Sequence, residues 1–183
     1  IGWVNIGKSY MSEGEHTYRV RAADKAGNLY ESSLYTIWID RGKPAVTGDL
    51  TYSVEPTARY KANSNGQFYD TQVDDSKRIL FFNQAPTISI SGKDEPLDEN
   101  GISSGLWKVT YTLTELDMET GKEKPSTEKP RYTNPQSKSV SFANYSTTEG
   151  VRSGTVSFKL PENWRGTITD IRLYDRANNY IKI

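Results

Sequence analysis

The sequence predicts an all-β protein whose antiparallel strands pack as a two-layer sandwich, and three observations predict it. Short runs alternate apolar and polar residues with a period of two, as strands with one wet face do. Tyr and Thr are abundant while long Ala/Leu/Glu/Lys-rich periodic segments are missing, which favours strands over helices. A phrase also occurs twice. Residues 16–28 read His-Thr-Tyr-Arg-Val-Arg-Ala-Ala-Asp-Lys-Ala-Gly-Asn, and residues 167–179 read Thr-Ile-Thr-Asp-Ile-Arg-Leu-Tyr-Asp-Arg-Ala-Asn-Asn. Each copy is an alternating run that stops at Asp, followed by a basic residue, Ala, a turn residue and Asn. Such a repeat predicts a slice from a longer array of similar β-units, cut in mid-repeat at one or both ends.

In chain order, residues 17–23 read as the first strand, with Tyr18, Val20 and Ala22 inward and Thr17, Arg19 and Arg21 outward. Residues 34–39 form another strand. The segment Asp40-Arg41-Gly42-Lys43-Pro44 then reads as a domain boundary, because Pro44 cannot extend a central strand and Gly42 permits a sharp change of direction. Residues 1–43 are thus expected to be the last three strands of a truncated unit, roughly 40 residues that cannot bury a core of their own and must lean on a neighbour. Residues 44–183 are expected to be a complete sandwich. Within it, 68–73, 78–82, 87–91 and 138–142 read as less regular strands, and Asn65-Gly66 as a hairpin turn.

The clearest strand is 106–114, which places Trp107, Val109, Tyr111 and Leu113 on one face and Lys108, Thr110, Thr112 and Thr114 on the other. Residues 155–160 alternate likewise, with Val156, Phe158 and Leu160 inward, and Ile171 and Leu173 do so in the last copy of the phrase. Asp94 to Gly105 reads as a long acidic loop. Residues 117–137, with Pro125, Pro130 and Pro135 and little apolar content, read as a loop insertion.

Asp24 and Asp175 share the parity of the inward residues before them, so each is expected at the rim where a strand ends. There its carboxylate can accept N–H bonds from the turn that follows. Gly27 supplies a positive φ in the first copy, and Asn178 is the next best residue for that role in the second. Asn28 and Asn179 open the returning strands. The phrase then reads as a hairpin corner, fully accounted for by structural work.

The stretch Gly14-Glu-His-Thr-Tyr-Arg-Val-Arg-Ala-Ala-Asp-Lys-Ala-Gly-Asn28 resembles the ending of bacterial immunoglobulin-like repeats, and Ile39-Asp40-Arg-Gly-Lys-Pro44 resembles the links between them. Pro161-Glu-Asn-Trp-Arg-Gly166 is similar to the lead-in before the same phrase. The resemblance covers about residues 1–44 and 84–183, and departs at Asn178, where Gly is usual, and in the 117–137 insertion. It implies an immunoglobulin-like β-sandwich preceded by part of another repeat. It also implies a secreted or cell-surface bacterial protein in which such domains serve as spacers, adhesion modules or accessory domains beside an enzyme. Trp107 would then be the core plug that immunoglobulin-type sandwiches carry on a central strand. A Lys–Asn or Lys–Asp covalent cross-link is also compatible with this resemblance.

Composition narrows the chemistry. Lys+Arg and Asp+Glu number 23 each, so no net field draws the chain to nucleic acid or an anionic membrane. Cysteine is absent, which excludes thiolate metal sites, disulfides and a Cys nucleophile. No stretch is long and apolar enough to span a bilayer as a helix. The missing initial Met and leader read as a processed or trimmed piece.

Gly101-Ile-Ser103-Ser-Gly105 matches a nucleophile elbow in letters but lacks the strand before it and the helix after it, so Ser103 reads as a loop residue and no enzyme activity is expected. Asp94, Asp98 and Asn100 are suitable oxygen ligands for calcium, although their spacing matches no EF-hand and the plainer reading is solvated carboxylates. No cofactor is expected.

Trp38 is out of phase with Tyr35, Ile37 and Ile39 and should face outward. There it would pack across the domain junction with Asp40 and Pro44, or serve as a sugar-binding platform with Tyr30, Tyr52, Tyr60, Tyr69 and Tyr180 nearby. Trp164 is expected to close one end of the sandwich. The expected partners are neighbouring domains of the same polypeptide, with a cell-surface protein or a carbohydrate as the alternative.

Overall fold

Ile88, Ile90 and Gly92 fall on one side of a strand and Ser89 and Ser91 on the other, and this simple alternation seeds the first layer of the fold. In the computed structural model, which describes residues 11–62, 68–70, 79–96, 101–127, 131–143 and 152–183, the chain forms fifteen strands and no helix among those residues. They are β1 (Gly14–Tyr18), β2 (Arg21–Ala23), β3 (Leu29–Glu31), β4 (Tyr35–Ile39), β5 (Ala45–Val46), β6 (Thr51–Tyr52), β7 (Ala58–Ala62) and β8 (Phe68–Asp70). There follow β9 (Ile79–Phe81), β10 (Thr87–Lys93), β11 (Leu106–Glu115), β12 (Gln136–Ser141), β13 (Ser153–Lys159), β14 (Gly166–Asp175) and β15 (Tyr180–Lys182). Every pairing among them is antiparallel.

Two four-stranded sheets make the sandwich. One runs β13-β10-β5, with β6 also paired to β10; the other runs β12-β11-β14-β15. Their inner faces meet in one apolar core. Ile88, Ile90, Val156 and Phe158 come from the first sheet, and Leu106, Val109, Tyr111, Leu113, Ile171 and Leu173 from the second. The Tyr111 and Phe158 rings stack across the layers with centroids 3.8 Å apart. Close packing requires Gly92, where a Cβ would come within 2.6 Å of the Leu173 side chain. On the outer face the hydroxyls of Ser89 and Ser157, and of Ser91 and Thr155, pair at 2.8 Å.

The strand at 106–114 departs from its expected phase. Leu106 pairs with Asp175 while Lys108 pairs with Tyr174, so two residues oppose one and the strand carries a bulge there. The bulge swings Leu106 into the core, fully buried, and leaves Trp107 only half-buried with the Lys108 ammonium 3.6 Å above its ring. Trp107 is therefore not the core plug. A second shift, between Thr110 and Thr112, places the extra residue on β14, where Asp170 adopts φ 53°.

Trp164 packs against the core end, and Gly166 must be glycine there, since a Cβ would collide with the Thr114 carbonyl oxygen and the Trp164 ring. Among its described residues the insertion before β12 is irregular, with isolated bridges between Leu116 and Glu123 and between Thr127 and Tyr132. It is clasped by buried Asn134, whose Oδ1 accepts from Glu115 N–H at 2.9 Å and whose Nδ2 donates to the carbonyls of Glu115 and Lys124.

Ahead of the sandwich, the run read as one strand over 17–23 is split in two. β1 pairs with β4 and β2 with β3, so four short strands stand where three were expected. Val20 and Ala22, expected inward, are exposed, because no second layer covers this ribbon among the described residues. β7, β8 and β9 form a small separate sheet, and the Asn65-Gly66 turn lies outside the described residues.

Candidate functional site

The two copies of the repeated phrase close the same way. Asn28 donates its N–H to Asp24 Oδ1 at 2.9 Å and its Nδ2 to Oδ2 at 2.7 Å. Asn179 donates its N–H to Asp175 Oδ1 at 2.7 Å and its Nδ2 to Oδ2 at 2.8 Å. The left-handed residue is Gly27 at φ 89° in one corner and Asn178 at φ 68° in the other. Their surroundings differ. The Asp24 corner is exposed, whereas Asp175 is 0% exposed and lies under two other segments.

The first of those segments is the linker. Asp40, 4% exposed, accepts from Gly42 N–H through Oδ1 at 3.0 Å and from Ser104 N–H through Oδ2 at 2.7 Å. Its carbonyl accepts from Asn179 Nδ2 at 3.2 Å. Pro44 is fully buried, and β5 begins directly after it, paired with the end of β10. Trp38 stands apart from this contact: it is 65% exposed, and its Nε1 donates to Glu15 at 3.3 Å. The expectation that Trp38 packs across the junction is therefore corrected, because β4 turns that face to solvent.

The second segment is the loop after β10. Asp94 is 0% exposed, and its Oδ2 accepts from Ser103 Oγ at 2.8 Å and from Gly105 N–H at 2.7 Å. Ser103 thus spends its hydroxyl tying the loop to Asp94. Ser104 Oγ in turn accepts from Ala177 N–H at 3.1 Å, and Arg176 N–H donates to the Gly105 carbonyl at 3.0 Å, which joins this loop to the corner.

These contacts bring Asp40, Asp94 and Asp175 together, with one oxygen of each lying within 4.8 Å of the others. No salt bridge to any of the three is found among the described residues. Burial pushes the Asp175 carboxyl up to about 6, and the like charges of Asp40 and Asp94 add to the effect. Asp94 is also raised, chiefly by burial and further by the charges of Asp40 and Glu13. A cluster of this kind has two chemical outlets: it takes up protons or it takes up a cation.

Among the residues nominated for calcium, Asp94 belongs to this cluster, while Asp98 and Asn100 lie outside the described residues. The sequence names Asp40 as a junction residue, Asp94 as a loop carboxylate and Asp175 as a corner, without joining them. The one local signal they share is a strand end: Asp40 and Asp94 directly follow β4 and β10, and Asp175 is the last residue of β14. Ser103, Ser104, Gly105 and Asn134 carried no such signal.

Of the tyrosines grouped with Trp38, Tyr30 and Tyr180 are exposed on different sheets, and Tyr52 packs against the core. The Tyr60 and Tyr69 side chains lie outside the described ones. The depression beside Trp164, bordered by Leu113, Glu115 and Asn163, holds about 150 Å³, below the roughly 300 Å³ at which small-molecule pockets begin. Comparison with protein-family models, with curated proteins and with solved structures finds no match.

Proposed function

We propose that this chain is a non-catalytic structural module of an exported bacterial surface protein: an immunoglobulin-like sandwich, preceded by closing strands of a neighbouring unit, that spaces and orients the domains beside it. The observation that carries the reading is the buried joint. The linker at Asp40 is held by Ser104 N–H and by Asn179 Nδ2, groups from two loops of the sandwich, and Pro44 removes further backbone freedom. A spacer needs that kind of joint, and an enzyme or a lectin does not. The resemblance of residues 14–28 and 39–44 to bacterial repeat endings and links supports the surface setting.

A second reading, a binding module for a cell-surface protein or carbohydrate, is favoured by one observation. Val20, Leu29, Tyr30, Leu34, Tyr35 and Trp38 are all exposed in the segment before the junction, and exposed large apolar side chains in such number are available as contact surface. For the spacer, small-angle X-ray scattering of the whole chain should report a single narrow shape that broadens in Asp40→Ala. A broad wild-type distribution would contradict a stiff joint. A glycan-array or pull-down signal removed by Trp38→Ala would shift the assignment to the binding module.

A further inference from the structure

Asp94 holds the decisive atom. Its Oδ2 accepts two hydrogen bonds, yet its Oδ1 is buried and has no hydrogen-bond partner. A carboxylate oxygen sealed from water and left unmatched is strongly unfavourable unless a proton or a cation meets it. Asp40 and Asp175 stand beside it, and three like charges within 4.8 Å cannot all remain ionised in a dry pocket without a counter-charge. Asn179, Ser104 and Gly105 contribute only neutral donors.

We propose that Asp40, Asp94 and Asp175 form a binding site for a divalent cation of the calcium type, which locks the linker, the 94–105 loop and the 175–179 corner to one another. Three oxygens that all lie within 4.8 Å of one another are close enough to share one ion whose ligands stand at about 2.4 Å. The donor set is all oxygen, the chain has no cysteine, and its single histidine, His16 on β1, is bonded to the Ser12 carbonyl, so the site suits a hard cation over zinc. Burial favours calcium over magnesium, which dehydrates reluctantly and keeps several waters. Glu13 is a further carboxylate whose charge bears on Asp94. The inference stands on these side chains and not on the spacer reading.

The Asp24 corner supplies an internal control: it has the same Asp–Asn bonds and, among the described residues, no second carboxylate in such a cluster. The test is calorimetric and thermal titration of the whole chain, stripped with chelator at neutral pH, against calcium chloride and separately magnesium chloride. Calcium should bind with one-site stoichiometry and raise Tm by several degrees, with magnesium weaker. Asp94→Asn should raise the half-saturating calcium concentration by at least about tenfold, and Asp24→Asn should leave it unchanged.

The wild-type titration decides the matter even where a variant folds poorly. No heat and no Tm shift at about 10 mM calcium, above the range of weak extracellular sites, would overturn the proposal. So would an equal response in Asp94→Asn. A calcium-blind wild type that Asp94→Asn stabilises would assign the cluster to shared protons instead.

Discussion

Asp24 and Asp175 receive the same two bonds from an Asn four residues on, yet their pKa values are shifted in opposite directions. The Asn28 bonds hold Asp24 below the ordinary carboxyl value, whereas burial lifts Asp175 to about 6. Local sequence writes the bonds and surroundings write the charge. The same division separates Leu106 from Trp107. A period of two puts the tryptophan in the core, and a one-residue bulge exchanges the two. Leu106→Ala should therefore cost about 2–5 kcal/mol in chemical denaturation. Trp107→Ala removes a half-buried ring and its contact with Lys108 and should cost less, about 1–2 kcal/mol. The reverse ranking would mean that the tryptophan fills the core after all.

Elements were legible in the sequence where alternation ran undisturbed. Val156, Phe158 and Leu160 are buried in or just after β13, and Ile171 and Leu173 in β14, each on the face their spacing indicates. Alternation fails at the bulges, since neither Lys108 nor Asp170 announces an extra residue, and in the ribbon before Asp40, where no layer among the described residues buries either face. Two element-scale outcomes follow from particular contacts. Gly166→Ala would drive a methyl group into Thr114 O and the Trp164 ring, so it should cost about 1–3 kcal/mol and expose Trp164, read by its fluorescence.

The insertion should respond to alkali. Tyr132 donates to Glu115 at 2.6 Å, and its phenol is pushed up to about 12 from the ordinary 10.0, first by burial, then by that bond and the Glu115 charge. A pKa raised in the folded state means stabilisation that is complete below pH 10.0 and lost as pH climbs through about 12. Phenolate absorbance should accordingly show one late-titrating tyrosine fewer in Tyr132→Phe than in the wild type, with Tyr111, raised by burial, titrating late in both.

For the molecule as a whole, order should be graded along the chain. Leu106, Val109, Ile90 and Leu173 anchor the paired sheets, while every residue of β2 and β3 is exposed. Hydrogen exchange should be slowest in β10, β11, β13 and β14 and fastest in β2 and β3; uniform protection would require a cover over the ribbon. The meeting of Asp40, Asp94 and Asp175 was the least legible feature, because its members are separated by 54 and 81 positions (94 − 40 and 175 − 94) and only the closed sandwich brings them together. Sequence neighbours Asp98 and Asn100 were the natural companions to nominate for Asp94, and a ligand set drawn from three distant segments leaves no spacing to read.

The bend at 24–28 takes its shape in open water with the same bonds as its entombed twin at 175–179. Its form is thus self-sufficient, ready before any other segment arrives to cover it. A polypeptide assembled from such prefabricated corners can grow longer without redesign, each added length carrying its own template for the fit that follows.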